Sequence, residues 1–316
     1  MSIRQRSFGA PPLYVSELAL GTWGLSGEGY GPVSDETADA TIKRAVELGV
    51  TVFDTSDAYG KGAMEERLGR LLEPHVATTY VVTRQGVDRS QEPARKRFDP
   101  AYLDAALVRS RERLRRECVD FYFLHNPSAE TLANEELRAF LRELKEGGRV
   151  RAWGASVGDA AAGRAALEAG AQAIAIAYNA LFANELHGLA DLVAEKKVGV
   201  FAHSVLGYGL LAGMWAAGKT FNEGDHRRDR WTGRDLRSRQ HHLGAMRSLL
   251  GGEVLTLRAA ALRYVLSNER VSAAVLGPRN VSQLEQLVRE AGAAPPYLDA
   301  ERLGRLPQRL RELGQP

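Results

Sequence analysis

Four polar side chains lie at or just after the ends of three apolar runs. Asp54 lies near the end of the run 51–55, and Tyr59 follows that run. Arg84 ends the run 80–84, and His125 ends the run 121–125. A tyrosine can protonate a carbonyl oxygen, but its ordinary pKa of about 10 is too high for an efficient acid near neutral pH. A neighbouring cation lowers that pKa, and a carboxylate can hold the cation in place. With a histidine to orient the carbonyl group, the set suits proton transfer to oxygen as hydride reaches carbon.

Each of these residues also has a purely structural interpretation. Tyr59, beside Gly60, could be a loop aromatic, and His125 a hydrogen-bonded core histidine. Asp54 could cap a turn, and Arg84 could form an ion pair with Asp54 that supports no chemistry. We favour the chemical interpretation because all four residue types occur together.

The elements that must position these residues are short apolar runs separated by amphipathic segments. The runs lie at 18–22, 51–55, 80–84, 121–125, 151–156, 173–178, 199–204 and 273–277. The amphipathic segments lie at 35–48, 64–72, 100–116, 129–146, 160–169, 184–195, 255–266 and 281–290. Nearly continuous apolar runs are typical of parallel strands covered by helices. Eight strand and helix repeats predict a closed (β/α)8 TIM barrel, on which the C-terminal strand ends share one pocket.

An open, doubly wound sheet is the alternative to the barrel. It is disfavoured because no G-x-G-x-x-G follows the first run. Two segments fall outside the repeat. Residues 7–17 are predicted to form a hairpin across the bottom of the barrel. Residues 214–252 are polar and rich in Gly, Arg and His, and they follow the seventh strand on the catalytic face. Loops of that length are usually functional or disordered, so this one either closes over a dinucleotide or an anionic substrate or is solvated.

Composition narrows the function classes. The 316 residues are 44% hydrophobic and 26% charged, as in ordinary globular proteins, and residues 1–316 are expected to form one barrel domain.

The net charge of +3 does not indicate a nucleic-acid partner, and the basic run 95–97 is expected on a solvent face. A single cysteine, Cys118, allows no intramolecular disulfide. With no membrane-length apolar run and no metal-binding cluster, we expect a cytoplasmic protein without membrane or metal partners, and the sequence leaves an oligomer open.

Several stretches of the chain resemble the aldo-keto reductases, nearest the bacterial branch that includes potassium-channel β subunits. They are VSELALGTWG at 15–24, the segments around Asp54 and His125, GYGLLAG at 207–213, RYVLS at 263–267 and VLGPRN at 275–280. The resemblance runs from residue 6 to about residue 290. It implies a (β/α)8 barrel, NADP(H) bound in an extended pose, and reduction of a carbonyl substrate or oxidation of the alcohol.

The resemblance also implies roles for individual residues. Asp54, Tyr59 and His125 take the catalytic positions, and Arg84 occupies the place of the family's lysine. The implied cofactor contacts are Thr22, Trp23, Ser156, Tyr178 and His203 at the nicotinamide end, Ser204, Leu206 and Gly209 along the pyrophosphate, and Gly277, Arg279, Gln283 and Gln286 at the adenosine end. A cation and polar donors there suit a 2′-phosphate.

The chain departs from the family pattern at positions that face the cofactor. Val157 and Ala175 stand where an asparagine and a glutamine are usual, His203 replaces a stacking aromatic, and Leu287 follows Gln286 in place of a Glu-Asn pair. A buried polar contact contributes about 0.5–1.5 kcal/mol. Losing three or four such contacts would weaken cofactor binding by roughly one to several orders of magnitude.

Three functions therefore remain open from the sequence. The first is an NADP(H)-dependent oxidoreductase that acts on a small carbonyl or alcohol, with activity altered by Arg84. The second is a barrel enzyme that performs acid–base elimination or isomerisation without hydride transfer. The third is a non-catalytic nucleotide-binding or regulatory protein, similar to a channel-associated subunit. Nucleotide binding and turnover together distinguish the three.

Overall fold

Eight parallel strands close into a barrel in the computed structural model, which describes residues 3–216, 218–231 and 233–314. The barrel strands are β3 (Leu18–Gly21), β4 (Val52–Ser56), β5 (Tyr80–Gln85), β8 (Val119–His125), β9 (Val150–Val157), β10 (Ala173–Ala177), β11 (Gly199–His203) and β12 (Ala273–Leu276). They pair in chain order, and β12 closes the circle by pairing with β3. The barrel prediction is confirmed, and the open sheet is excluded.

Strand alternation divides the barrel interior into an apolar lower part and a polar upper end. Successive strand residues point to opposite faces. The interior is filled by Phe121, Phe123 and Phe201, whose rings contact one another at 5.4 and 5.9 Å between centroids. Moving two residues along each strand leads to the C-terminal end. The inward positions there carry Asp54, Arg84, His125, Ser156 and His203.

The predicted hairpin covers the bottom of the barrel. Strands β1 (Gln5–Phe8) and β2 (Leu13–Ser16) pair antiparallel. The Phe8 ring lies 5.8 Å from the ring of Phe121 and 6.0 Å from that of Phe201, so it fills the lower opening. Arg6 holds the hairpin in place by pairing with Glu17 at 3.0 Å. Because this end is filled with apolar side chains, chemistry is confined to the opposite end.

The outer layer consists of helices that return the chain to the bottom of the barrel. They are α1 (Asp35–Glu47), α2 (Ala63–Leu72), α3 (Pro100–Leu114), α4 (Ala129–Ala133), α5 (Glu135–Glu146), α6 (Ala160–Glu168), α7 (Asn184–His187), α8 (Ala190–Lys196), α11 (Leu257–Ser267) and α12 (Val281–Ala291). The predicted helix 129–146 is divided at Asn134, which has extended backbone and whose side chain accepts from the Leu137 amide to start α5. The predicted helix 184–195 is likewise divided. No helix in the described ranges has the length and apolar character to cross a membrane.

The described residues between 214 and 252 form helices rather than a solvated loop. They contain α9 (Arg227–Arg230), α10 (Gly233–His242) and a 3-10 helix, Ala245–Leu249. Helix α10 and the 3-10 helix join a second hydrophobic cluster with α11 and with a terminal helix that the sequence analysis did not predict, α13 (Ala300–Glu312). A short hairpin of β6 (Val87–Asp88) and β7 (Arg95–Lys96) after β5 was also not predicted.

Two helical glycines provide a test of this packing. A Cβ on Gly69 of α2 would lie 2.0 Å from the carbonyl oxygen of Arg113, whereas a Cβ on Gly304 of α13 would meet nothing within 4 Å. We expect Gly69→Ala to lower the free energy of unfolding by about 1–3 kcal/mol through overpacking. Gly304→Ala should raise it by about 0.5–1 kcal/mol, because alanine favours a helix interior. Urea denaturation measures both, and equal effects would contradict the close approach of α2 to α3.

Candidate active site

A cavity of about 1020 Å³ opens at the C-terminal end of the barrel and is lined by residues from all eight barrel strands. Asp54, Tyr59, Arg84 and His125 meet in its wall, as the sequence predicts. The register accounts for this meeting. Ser56 on β4 pairs with Arg84 on β5, and Arg84 pairs with Phe123 on β8.

The Arg84 guanidinium joins two of the other three residues. Its Nη2 donates to Asp54 Oδ2 at 2.6 Å, and its Nη1 donates to the Tyr59 hydroxyl at 3.3 Å. Arg84 is 7% exposed and Asp54 is 3% exposed. The Nε of Arg84 is buried and has no hydrogen-bond partner among the described residues. The planar fork thus connects a carboxylate and a phenol that lie on different elements.

Burial sets the proton affinities of this group. It raises the pKa of Asp54 to about 6, although the Arg84 charge opposes that rise. Burial also raises the pKa of Tyr59, and Arg84 offsets the rise only in part. Near neutral pH the carboxyl is therefore ionised and the phenol is protonated. The arrangement has a proton to donate.

A tight left-handed turn brings Tyr59 into the cavity. Tyr59 starts a 3-10 turn in which Gly60 and Lys61 have φ of 59° and 52°. The Gly60 amide donates to Glu28 at 3.1 Å, and Arg89 donates to the carbonyl of Ala58 at 2.7 Å. These bonds fix the turn from both sides, so the phenol is held beside Arg84.

His125 lies across the cavity wall from Tyr59. The two rings are nearly perpendicular, with centroids 6.3 Å apart. Ser56 Oγ lies 3.3 Å from His125 Nδ1 and 2.7 Å from the backbone oxygen of Arg84. Burial and the neighbouring cations hold the pKa of His125 well below its usual value, so the imidazole is neutral. The sequence analysis did not identify Ser56, although its place two residues after Asp54 puts it on the same strand face.

A second wall of the cavity follows β9 and β11. Ser156 lies opposite His125 in the strand register, and His203 Nδ1 lies 3.0 Å from Ser204 Oγ. Burial lowers the pKa of His203 to about 3, so its ring is uncharged and can stack. The chain then turns through the segment 204–209, where Ser204 and Tyr208 have φ of 55° and 59°. Leu206 and Gly209 also line the cavity.

The far end of the cavity is formed by the loop that starts α12. Arg279 Nη2 donates to the carbonyls of Gly31 and Pro32, each at 2.9 Å. Gln283 accepts from the Arg279 amide at 2.9 Å. Arg279 Nε is buried without a partner in the described part of the chain. Gly277 and Gln286 also line this end, as predicted.

Two of the predicted cofactor contacts lie outside the cavity lining. Thr22 is fully buried, and its hydroxyl donates to the Asp54 carbonyl at 3.0 Å, so it joins β3 to β4. The Tyr178 ring stacks on Tyr264, with centroids 5.6 Å apart, and its hydroxyl lies 3.3 Å from His187. Strand alternation explains the second case, because Ala177 faces the cavity and the next residue faces the helices. Trp23, by contrast, lines the cavity.

The three apolar departures from the family pattern fall in two places. Val157 and Leu287 line the cavity and present apolar side chains to it. Ala175 lies deeper, in the apolar interior of the barrel. The hydrogen bonds that asparagine and glutamine would provide are therefore absent from this wall, while Ser156 and Gln286 remain.

The segment that follows β11 covers the cavity. The His226 amide donates to the Gly29 carbonyl at 3.0 Å, and Tyr30 forms a β-bridge with Asp225. Arg227 pairs with Asp225 at 2.5 Å and lies 4.9 Å from the Tyr30 ring centroid. Tyr30, Trp215, Arg227 and Arg230 line the cavity from this side.

The prediction that residues 95–97 lie on a solvent face is only partly right for Lys96. It is exposed, as predicted for the basic run 95–97, but its side chain lines the cavity and its Nζ donates to the His125 carbonyl. The short hairpin explains this, because alternate residues of a strand point to opposite sides. Arg95 beside it is directed to Asp88 instead.

Known proteins resemble this chain over most of its length. The Aldo/keto reductase family model matches residues 17–302. The aldo-keto reductase yakc of Schizosaccharomyces pombe, named with NADP(+), is 32% identical over 237 residues, covering 72% of this chain and 68% of that protein. The aldo-keto reductase YhdN of Bacillus subtilis is 28% identical, covering 86% and 84%.

Two solved structures have the same fold. The glycerol dehydrogenase AKR11B4 of Gluconobacter oxydans superposes with a TM-score of 0.84 at 24% identity, covering 100% of this chain and 96% of that one. The aldo-keto reductase AKR11C1 of Bacillus halodurans superposes with a TM-score of 0.80 at 22% identity, covering 97% and 96%. The chain belongs to the aldo/keto reductase family of oxidoreductases.

Proposed function

We propose that the protein is an NADP(H)-dependent oxidoreductase that reduces a small aldehyde or ketone, or oxidises the corresponding alcohol. We further propose that residues 1–316 act as one barrel domain. The observation that carries this proposal is the Arg84 fork, which bonds Asp54 at 2.6 Å and Tyr59 at 3.3 Å inside the cavity. The family membership supports it, as do the relatives whose names include NADP(+) and glycerol dehydrogenase.

Tyr59 is the proposed acid. A carbonyl oxygen placed between Tyr59 and His125 would accept the phenolic proton as negative charge develops on it. Arg84 then stabilises the tyrosinate that remains, and Asp54 holds the guanidinium and balances its charge. A hydrogen bond between the charged guanidinium and the tyrosinate is stronger than a bond between two neutral groups.

The cavity fits an extended dinucleotide. Both Arg84 and Arg279 line it, and the buried Nε of Arg279, unpartnered in the described residues, is suited to a phosphate oxygen. Bound NADPH would supply hydride to the carbonyl carbon. The residues that would hold it are Trp23, Ser156, His203, Ser204, Leu206, Gly209, Gly277, Arg279, Gln283 and Gln286.

Arg84 variants test the catalytic role. Arg84→Met should lower kcat/KM for carbonyl reduction by about a hundredfold or more, because Tyr59 loses the cation that stabilises its conjugate base. Arg84→Lys keeps a charge in place and should retain more activity than Arg84→Met. Tyr59→Phe removes the acid while the ion pair stays intact, so it controls for loss of folding. Wild-type turnover by Arg84→Met would assign Arg84 a structural role alone.

Nucleotide titration tests the cofactor. We expect NADPH to bind at least about tenfold more tightly than NADH, because Arg279 can pair with the 2′-phosphate. Arg279→Ala should remove this difference, and Arg289→Ala, which removes an exposed cation from the following helix α12, should leave it unchanged. Calorimetry measures the binding of both nucleotides to the wild type and to each variant. An equal loss of NADPH and NADH binding in Arg279→Ala would mean that Arg279 only holds the loop at Gly31.

The pH profile tests the protonation states. Asp54, with a pKa of about 6, is ionised above that pH and holds Arg84. We expect kcat/KM for reduction to fall below about pH 6 and to stay level up to about pH 9, because Tyr59 remains protonated there. Asp54→Asn should abolish the acid limb. Persistence of that limb in the variant would contradict the assignment to Asp54.

A further inference from the structure

The cavity wall is strongly basic. Its charged lining residues are Arg84, Lys96, Arg227, Arg230, Arg258 and Arg279, with Asp54 as the acidic one. Most of the cations already have partners. Arg84 pairs with Asp54 at 2.6 Å, Arg227 with Asp225 at 2.5 Å and Arg258 with Glu290 at 2.6 Å, while Arg279 donates to backbone carbonyls. Within the described ranges, Lys96 and Arg230 have no carboxylate within 4.0 Å.

These two cations lie on different walls. The Arg230 guanidinium lies 4.0 Å from the ring centroid of Tyr208, in the segment 204–209 along which the pyrophosphate is proposed to run. Lys96 lies on β7, and its ammonium group donates to the carbonyl of His125. Arg230 is therefore placed to meet the cofactor, whereas Lys96 stands beside the residues proposed to meet the substrate.

The hairpin presents Lys96 to the cavity and neutralises its neighbours. Arg95 and Arg97 reach Asp88 at 3.5 and 3.4 Å, and Asp88 also accepts from the Ser90 amide at 2.9 Å. Lys96 pairs with Val87 in the register and has no such acidic partner in the described structure. Partial burial removes some of the water around the Lys96 ammonium group and lowers its pKa. An anion beside the ammonium group would offset that loss of hydration.

We propose that Lys96 determines substrate specificity by binding an oxyanion, a carboxylate or a phosphate, on the carbonyl substrate. A lysine ammonium has three donors, and the bond to the His125 carbonyl uses one of them. The remaining donors can hold the anion at the cavity mouth while the carbonyl group lies between Tyr59 and His125. This inference rests on the proposed function, because it assumes that those two residues receive the carbonyl.

Matched aldehydes test the proposal. We would compare 4-carboxybenzaldehyde with its methyl ester, and glyceraldehyde 3-phosphate with glyceraldehyde, each with NADPH. For the wild type, kcat/KM should favour the anionic member of at least one pair. Lys96→Gln should reduce that preference about tenfold or more, mainly through a higher KM for the anion, because a charge-assisted bond is lost. Lys96→Arg should keep most of the preference.

Arg95→Gln is the matched control, since it removes a cation from the same hairpin but from the side that faces Asp88. A preference confined to the benzoate pair identifies a carboxylate, and one confined to the phosphate pair identifies a phosphate. Equal preferences in the wild type, Lys96→Gln and Arg95→Gln would overturn the proposal.

Loss of the proposed function would have a different signature. If none of the four aldehydes turns over, reduction itself is refuted, and Lys96 is then tested by calorimetry with benzoate and with inorganic phosphate. Binding to the wild type that is lost in Lys96→Gln supports the anion site. Equal binding to both proteins, or no binding to either, overturns it.

Discussion

The buried ion pair between Arg84 and Asp54 is the interaction on which the site depends. Its two members are on adjacent strands, and each is almost inaccessible to water. Neither charge is stable in such an interior without the other, since removing one partner of a buried pair typically costs about 3–5 kcal/mol. The pair in turn holds the phenol of Tyr59, because the second arm of the guanidinium donates to it. A planar fork makes both contacts from a single side chain.

Barrel closure makes that pair possible and keeps it in place. The apolar interior built from Phe8, Phe121 and Phe201 fills the lower barrel and leaves the upper ends of the strands to polar residues. Hydrogen bonds from Thr22 and Ser56 to neighbouring strand carbonyls tie the strands together at the level of the site. Asp54, Arg84 and His125 are therefore held by strands rather than by flexible loops, which limits their positional freedom.

Charge matching organises the rest of the cavity. The segment after β11 supplies Arg227. Because this cation pairs with Asp225 and lies over aromatic rings, it holds the segment in place across the cavity. Arg279 ties the opposite rim to Gly31 and Pro32. Together these contacts hold two rims of the cavity in place along the proposed cofactor path. Lys96, which has no carboxylate partner in the described structure, stands beside the residues proposed to meet the substrate.

Local sequence pattern determined the eight strands, the bottom hairpin and the placement of Asp54, Tyr59, Arg84 and His125, because apolar runs and strand periodicity are local properties. The division of the helix at Asn134 and the existence of α13 required tertiary contacts. So did the positions of Thr22 and Tyr178 outside the cavity and of Lys96 at its mouth. Residues distant in sequence decide whether a cation has a carboxylate partner. They also decide whether Asp54 is buried enough for its pKa to reach about 6. The sequence alone therefore identifies the groups proposed to react, whereas the folded structure decides their charges and which of them face the cavity.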